Sequence, residues 1–134
     1  ADKVRYINNE LYTDKPDGLS GNEDCGQMSA WYILSSMGFY PVNPSNGAYV
    51  FGSPLFDEVV LDIPGQKQFK ISAKNNSDKN IYIQSVSLNG EEHKYSYITH
   101  KEILKGGELE FTMGPKPNKD FGKEKKYRPE SIVY

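Results

Sequence analysis

The chemistry-bearing residues of this chain crowd into one short run, Gly21-Asn22-Glu23-Asp24-Cys25-Gly26-Gln27, with Asp17 just upstream. Side-chain oxygens of Asp17, Asn22, Glu23, Asp24 and Gln27 alternate with Gly18, Gly21 and Gly26, residues that free the backbone to turn. An apolar segment follows at once, so the spacing predicts carboxylates at a helix N-terminus. There, unsatisfied N–H groups and the positive end of the helix dipole favour the charged form. A carboxylate held ionised suits a general base or a cation ligand, and does not suit a general acid. A plainer role fits the same residues: Asp24 as N-cap with Gln27 three positions on has the pattern of a capping box. The spacing of Asp17, Asn22, Glu23 and Asp24 matches no calcium loop of the D-x-D-x-D-G kind.

Other candidates are weaker. His93 and His100 have no cysteine or carboxylate at metal-ligand spacing. Cys25, at the same helix start, has no histidine nearby in sequence and reads as a packing residue. Phe51-Gly52-Ser53-Pro54 lacks the G-x-S-x-G elbow of a serine nucleophile. Asn75-Asn76-Ser77 is formally a glycosylation sequon.

The elements that must position these residues are legible in outline. Val4, Ile7 and Leu11 recur at helical spacing and predict a helix over about 2–13, ended by the turn signal Lys15-Pro16-Asp17-Gly18. Over 24–37 the apolar residues Met28, Ala30, Trp31, Tyr32, Ile33, Leu34 and Met37 fall on every side, the pattern of a buried helix. Ser29, Ala30, Ser35 and Ser36 keep part of its surface small enough for a neighbouring helix to approach. Gly38 supplies a Schellman ending with Phe39, and Pro41 prevents continuation. From about 46 the character turns to β, with strands expected over 48–52, 58–63, 68–74, 81–88, 93–97 and 108–113. Asn89-Gly90 is the best hairpin signal. Thr99 with Glu102 predicts a capping box, and Ile98 with Ile103 a hydrophobic staple, so one short helix interrupts the sheet. The fold class expected is α+β: a helical hairpin over 1–45, a mainly antiparallel β-layer over 46–114 with that one short helix, and an extended tail over 115–134.

Bulk properties bound the partners. With 134 residues, 16 Lys and Arg against 18 Asp and Glu, and a net charge of −2, the chain has no clustered basic excess for nucleic acid. No apolar run approaches the roughly 20 residues of a membrane span. The start, Ala1-Asp2-Lys3-Val4-Arg5, has neither an initiator Met nor the regions of a signal peptide, and reads as a cut point.

Pro16-Asp17-Gly18-Leu19, then Gly21 through Tyr32, then Met37-Gly38-Phe39-Tyr40-Pro41-Val42 and Gly52-Ser53-Pro54-Leu55-Phe56, resemble in order the closing portion of glycoside hydrolase family 92. Weaker similarity continues through 81–88, 96–98, His100 and 106–114. The resemblance implies a calcium-dependent exo-acting α-mannosidase with an N-terminal β-sandwich and an (α/α)6 catalytic domain, which would contribute the helical hairpin. It implies that the enzyme cleaves terminal α-mannose from mannose-containing oligosaccharides with inversion. It also implies that Asp24 is the general base that activates water. The family pattern often has an acid two positions earlier; here Asn22 stands there, leaving it, with Glu23, to position water or substrate. Inverting glycosidases hold their two carboxyls roughly 6.5–9.5 Å apart on opposite sides of the bond. Glu23 and Asp24, adjacent and divergent, cannot be that pair. The general acid and most of the Ca²⁺ site are therefore expected in a missing N-terminal part, about 600 residues at typical domain sizes, and the calcium ligands are unassigned. Trp31 and Tyr32 could stack on sugar rings or belong to the core. A periplasmic or extracellular location follows from the resemblance alone. The rival expectation is a non-catalytic carbohydrate-binding or structural β-module, which would display exposed coplanar aromatic rings.

Overall fold

A computed structural model describes residues 1–131. Helix α1 (Asp2–Glu10) is shorter than its apolar spacing predicts: Leu11 is already its C-cap, and Tyr12 forms an isolated bridge with Leu19. The Lys15-Pro16-Asp17-Gly18 turn causes this early stop. Its Gly18 carbonyl accepts the Thr13 N–H at 3.0 Å, and a Cβ on Gly18 would lie 2.1 Å from the Thr13 carbonyl oxygen. Only glycine admits that closure.

Helix α2 (Gln27–Met37) ends at Gly38, whose φ of 104° and N–H bonds to the Leu34 and Ser35 carbonyls make the expected left-handed stop. Phe39 then enters the core and opens strand β1 (Phe39–Asn43), which the sequence reading missed because it contains Pro41. β1 is an edge strand, and Pro41 falls in the irregular stretch of its pairing with the next strand between Tyr40 and Asn43, two settings in which a proline is tolerated. It pairs antiparallel with β2 (Ala48–Phe51), so this hairpin spans residues 45 and 46.

The remaining strands are β3 (Glu58–Ile63), β4 (Lys67–Lys74), β5 (Tyr82–Leu88), β6 (Glu91–Glu92), β7 (Tyr97–Thr99) and β8 (Gly107–Gly114). They form two sheets, β1-β2-β7 and β3-β4-β8-β5-β6. All pairings are antiparallel except β4 with β8, which run parallel with Ile71 opposite Leu109 and Ala73 opposite Phe111. The single strand expected over 93–97 is not formed. β6 ends before it and β7 begins at its last residue, because the chain crosses there from one sheet to the other. Asn89 and Gly90, with φ of 53° and 83°, make the turn between β5 and β6.

Alternate residues of β4 and β8 point inward, and Phe69, Ile71, Leu109, Phe111 and Met113 join Phe39 and Ile98 of the smaller sheet in one core. Phe51 meets Phe111 edge to face at 5.1 Å. Helix α3 (His100–Leu104) is fixed by the complete Thr99–Glu102 capping box, with Ile98 and Ile103 both buried.

α2 sits on this layer differently from the expectation of an all-round buried helix. Its fully buried residues are Ser35 and Ser36, while Ile33 is 51% exposed. Ser36 admits the chain at 52–56, its carbonyl accepting the Leu55 N–H at 2.8 Å, and α1 also lies against α2, with Val4 and Ser35 lining one small hollow. Leu34 and Met37 pack against the core and Trp31 and Tyr32 against Tyr12, which leaves Ile33 as the large apolar side chain of α2 open to solvent.

α1 is tied down by Arg5, which the sequence reading had not singled out. Its Nε donates to Ser53 Oγ at 3.0 Å, and its Nη2 donates to the Pro54 carbonyl and to Asn76 Oδ1. Burial pulls the Arg5 guanidinium below its ordinary pKa, with Asp78 and then Asp57 pulling the other way. The region beyond 114 has no strand among the described residues. It is held by bonds from Asn118 Nδ2 to the Gln84 carbonyl (2.7 Å) and from the Ser96 N–H to the Tyr127 carbonyl (2.8 Å).

Candidate functional site

The polar run reaches its geometry through backbone strain. Asp24, Cys25 and Gly26 all have positive φ, 46°, 64° and 87°, and helix α2 begins only at Gln27 with Gly26 as N-cap. Asp24 is therefore not the cap, and the Asp24–Gln27 capping box is not formed. Left-handed residues cannot start a right-handed helix, so the turn they make places Asp24 ahead of the helix and exposed to solvent.

The capping carboxylate is Glu23. Its Oε1 accepts the Ser29 N–H at 3.0 Å, and its backbone carbonyl accepts the Gln27 N–H at 3.1 Å. Two of the helix's first-turn donors are thus satisfied by a residue lying outside it. Local capping rules look one to three residues ahead, and this bond spans six positions, which is why the sequence offered Asp24 rather than Glu23 as the alternative cap. Glu23 Oε2 is buried and has no partner among the described residues.

Asn22, Glu23 and Asp24 share this ledge, and Asp17 lies on the separate exposed turn closed by Gly18. Tyr12 joins the two parts. Its hydroxyl donates to the Met28 carbonyl at 3.0 Å, and its ring lies 5.9 Å from Trp31 and 4.8 Å from Tyr32. Burial raises the Tyr12 phenol pKa, and the negative charge of Glu23 pushes the same way, as does Tyr40. Trp31 is further packed on Tyr40, so Trp31 and Tyr32 serve as a mount for the loop. An open hollow of about 470 Å³, lined by Tyr12, Thr13, Asp14, Leu19, Ser29, Tyr32 and Ile33, adjoins the ledge.

Among the described residues, no three His, Cys, Asp or Glu side chains come close enough to hold a metal ion. Calcium needs six to eight oxygens, and one carboxylate of this ledge is already committed to the helix. The residues present thus do not by themselves fit a calcium site. His93 is buried, with Nε2 2.8 Å from the Tyr97 carbonyl, and the Tyr49 hydroxyl lies 3.1 Å from Nδ1 of His100. The two histidines sit apart from the ledge on the β-layer. Cys25 is exposed rather than packed, because the left-handed turn lifts it from the helix. No helix of the described residues is long and apolar enough to cross a membrane.

The family model described as the glycosyl hydrolase family 92 catalytic domain matches residues 1–115. An uncharacterized secreted glycosidase of Arthroderma benhamiae is 34% identical over 106 residues, covering 77% of this chain and 14% of that protein. A family GH92 α-mannosidase of Bacteroides thetaiotaomicron, solved in complex with mannoimidazole, superposes with a TM-score of 0.91 at 40% identity, over 98% of this chain and 17% of its own. A family GH92 inverting mannosidase of the same organism gives 0.89 at 42% identity, over 97% and 18%. The chain thus spans less than a fifth of the length of these relatives.

Proposed function

The chain belongs to glycosyl hydrolase family 92, and from that premise we propose that it is the part of an inverting α-mannosidase that supplies the general base, Asp24. The observation that carries this reading is the strained turn. A carboxylate lifted clear of its helix and left uncapped is free to take a proton from water. In an inverting hydrolysis that water attacks the anomeric carbon from the face opposite the leaving oxygen, which a separate acid protonates. Asn22 is exposed on the same ledge, which supports a role for it in hydrogen-bonding the water or a sugar hydroxyl.

In this reading the acid comes from another part of the protein, as the family resemblance implies, and Glu23 is already tied to Ser29 and Glu102 to its capping box. Calcium, if the parent uses it, must take most of its oxygens from outside this chain, and no step here runs through it. The two relatives named as mannosidases support a terminal α-mannoside as substrate, and the secreted relative supports an extracellular or periplasmic setting.

The rival, a carbohydrate-binding β-module, needs a flat aromatic platform. Tyr95 meets Tyr97 at 76° and Tyr127 at 89°, edge-on arrangements that offer no common plane. The solvent-facing apolar side chains include Tyr6 and Ile33 on the helices and Val42 on β1, the distribution expected where a larger domain packs. In the full-length protein, Asp24→Asn should lower mannose release by about 10²- to 10⁴-fold with folding retained. Turnover at the unmutated rate would reduce Asp24 to a surface residue. The isolated chain should release no mannose; measurable release would sink the division of acid and base between two parts of the protein.

A further inference from the structure

We infer that Glu23 is a positioning residue for Asp24, a clamp that holds the left-handed turn on which Asp24 stands; this rests on the reading of Asp24 as base. Asp24 and Cys25 each carry a Cβ at positive φ, a conformation with a steric cost that persists only when its surroundings enforce it. Glu23 provides that enforcement from both chemical directions. Its backbone carbonyl accepts the first helical N–H, from Gln27, at 3.1 Å. Its side chain reaches over the turn to the third, from Ser29, at 3.0 Å. The turn 24–26 is thus bracketed between two bonds made by one residue.

The bracket is specific to a long carboxylate or its amide. Aspartate at position 23 would be one methylene too short for the Ser29 N–H, and the turn would have to open to close the gap. Gly26 completes the turn at a φ of 87°, a left-handed conformation that glycine adopts without steric cost. Tyr12 braces the far side by accepting no role in the turn itself and fixing Met28 through its carbonyl. With the clamp removed, Asp24 is released from its fixed stand, and a displacement of about 1 Å at a reacting group costs on the order of 10²-fold in rate.

The test uses the full-length protein with Glu23→Ala, Glu23→Gln and Asp24→Asn, read by steady-state kinetics on a terminal α-mannoside and by amide hydrogen exchange at Ser29. Glu23→Ala should lower kcat by about 10- to 100-fold with KM changed less than about twofold. Exchange at Ser29 should speed up by about tenfold. Glu23→Gln keeps a carbonyl oxygen for the Ser29 N–H and should restore kcat to within about fivefold of the unmutated enzyme. Unchanged kcat in Glu23→Ala overturns the inference, as does a loss confined to KM, which would mean direct contact with substrate. So does a Glu23→Gln enzyme as slow as Glu23→Ala with normal Ser29 exchange, because the charge itself would then be required. Full turnover in Asp24→Asn rejects the base reading independently. The clamp is judged separately at Ser29: unaccelerated exchange in Glu23→Ala rejects it even where turnover falls.

Discussion

The β-layer and the helical region bury their apolar residues to different degrees. The layer closes on itself: Phe39, Phe69, Ile98, Leu109 and Phe111 are essentially inaccessible, and both sheets contribute to one core. The helical region does not close. α2 rests on the layer through Ser35, Ser36, Leu34 and Met37, and Ile33 on its outer side stays half exposed. The difference teaches where stability and chemistry reside. The closed core belongs to the layer, whereas the polar ledge of Asn22, Glu23 and Asp24 stands at the entrance to α2 in the helical part.

The largest effect that could break this comparison is in the layer. Phe111→Ala removes a fully buried ring that meets Phe51 edge to face, and should cost about 3–5 kcal/mol in urea unfolding. A loss below about 1 kcal/mol would mean the core is not closed at Phe111. Next comes the joint between the regions. Arg5→Ala leaves Ser53, the Pro54 carbonyl and Asn76 without their donor and should cost about 2–3 kcal/mol by the same measurement. Arg5→Lys should recover little of it, since one ammonium cannot reproduce a guanidinium's fork.

Tyr12→Phe keeps the stacking on Trp31 and Tyr32 and loses only the bond to the Met28 carbonyl, a cost of about 1 kcal/mol. This variant also carries a pH signature. The folded phenol pKa is raised, so its contribution is complete below the unfolded value of about 10 and is lost as pH rises through the folded one. Stability measured between neutral and strongly alkaline pH should therefore fall less steeply in Tyr12→Phe than in the unmutated chain. The smallest effect sharpens the contrast. Ile33→Ser, at a half-exposed site, should shift the stability of this chain by less than about 0.5 kcal/mol. In the full-length protein the same change should cost more than about 1 kcal/mol, as the burial of that face demands.

Where structure followed short-range pattern, the sequence was legible. The Thr99–Glu102 capping box, the Asn89-Gly90 turn, the Gly38 stop and the alternation of Phe69, Ile71 and Ala73 each involve residues within a few positions of one another. Asp24 was identified as part of the chemical run for the same reason, but its conformation was not, because the residue that sets it bonds six positions ahead. β1 was hidden by Pro41, whose tolerance depends on lying at a sheet edge.

The sequence by itself thus determined an α+β chain with mainly antiparallel strands, the turns that punctuate them, and a polar run carrying Asn22, Glu23 and Asp24 at the entrance to α2. Only the tertiary structure decided that β4 and β8 lie side by side in parallel, that Arg5 ties α1 to the layer, and that Glu23 caps α2 while Asp24 stands free. Hydrophobic period and turn chemistry act over a few residues and can be read along the chain. Strand neighbours and long-reaching hydrogen bonds are chosen by what the folded core brings within 3 Å.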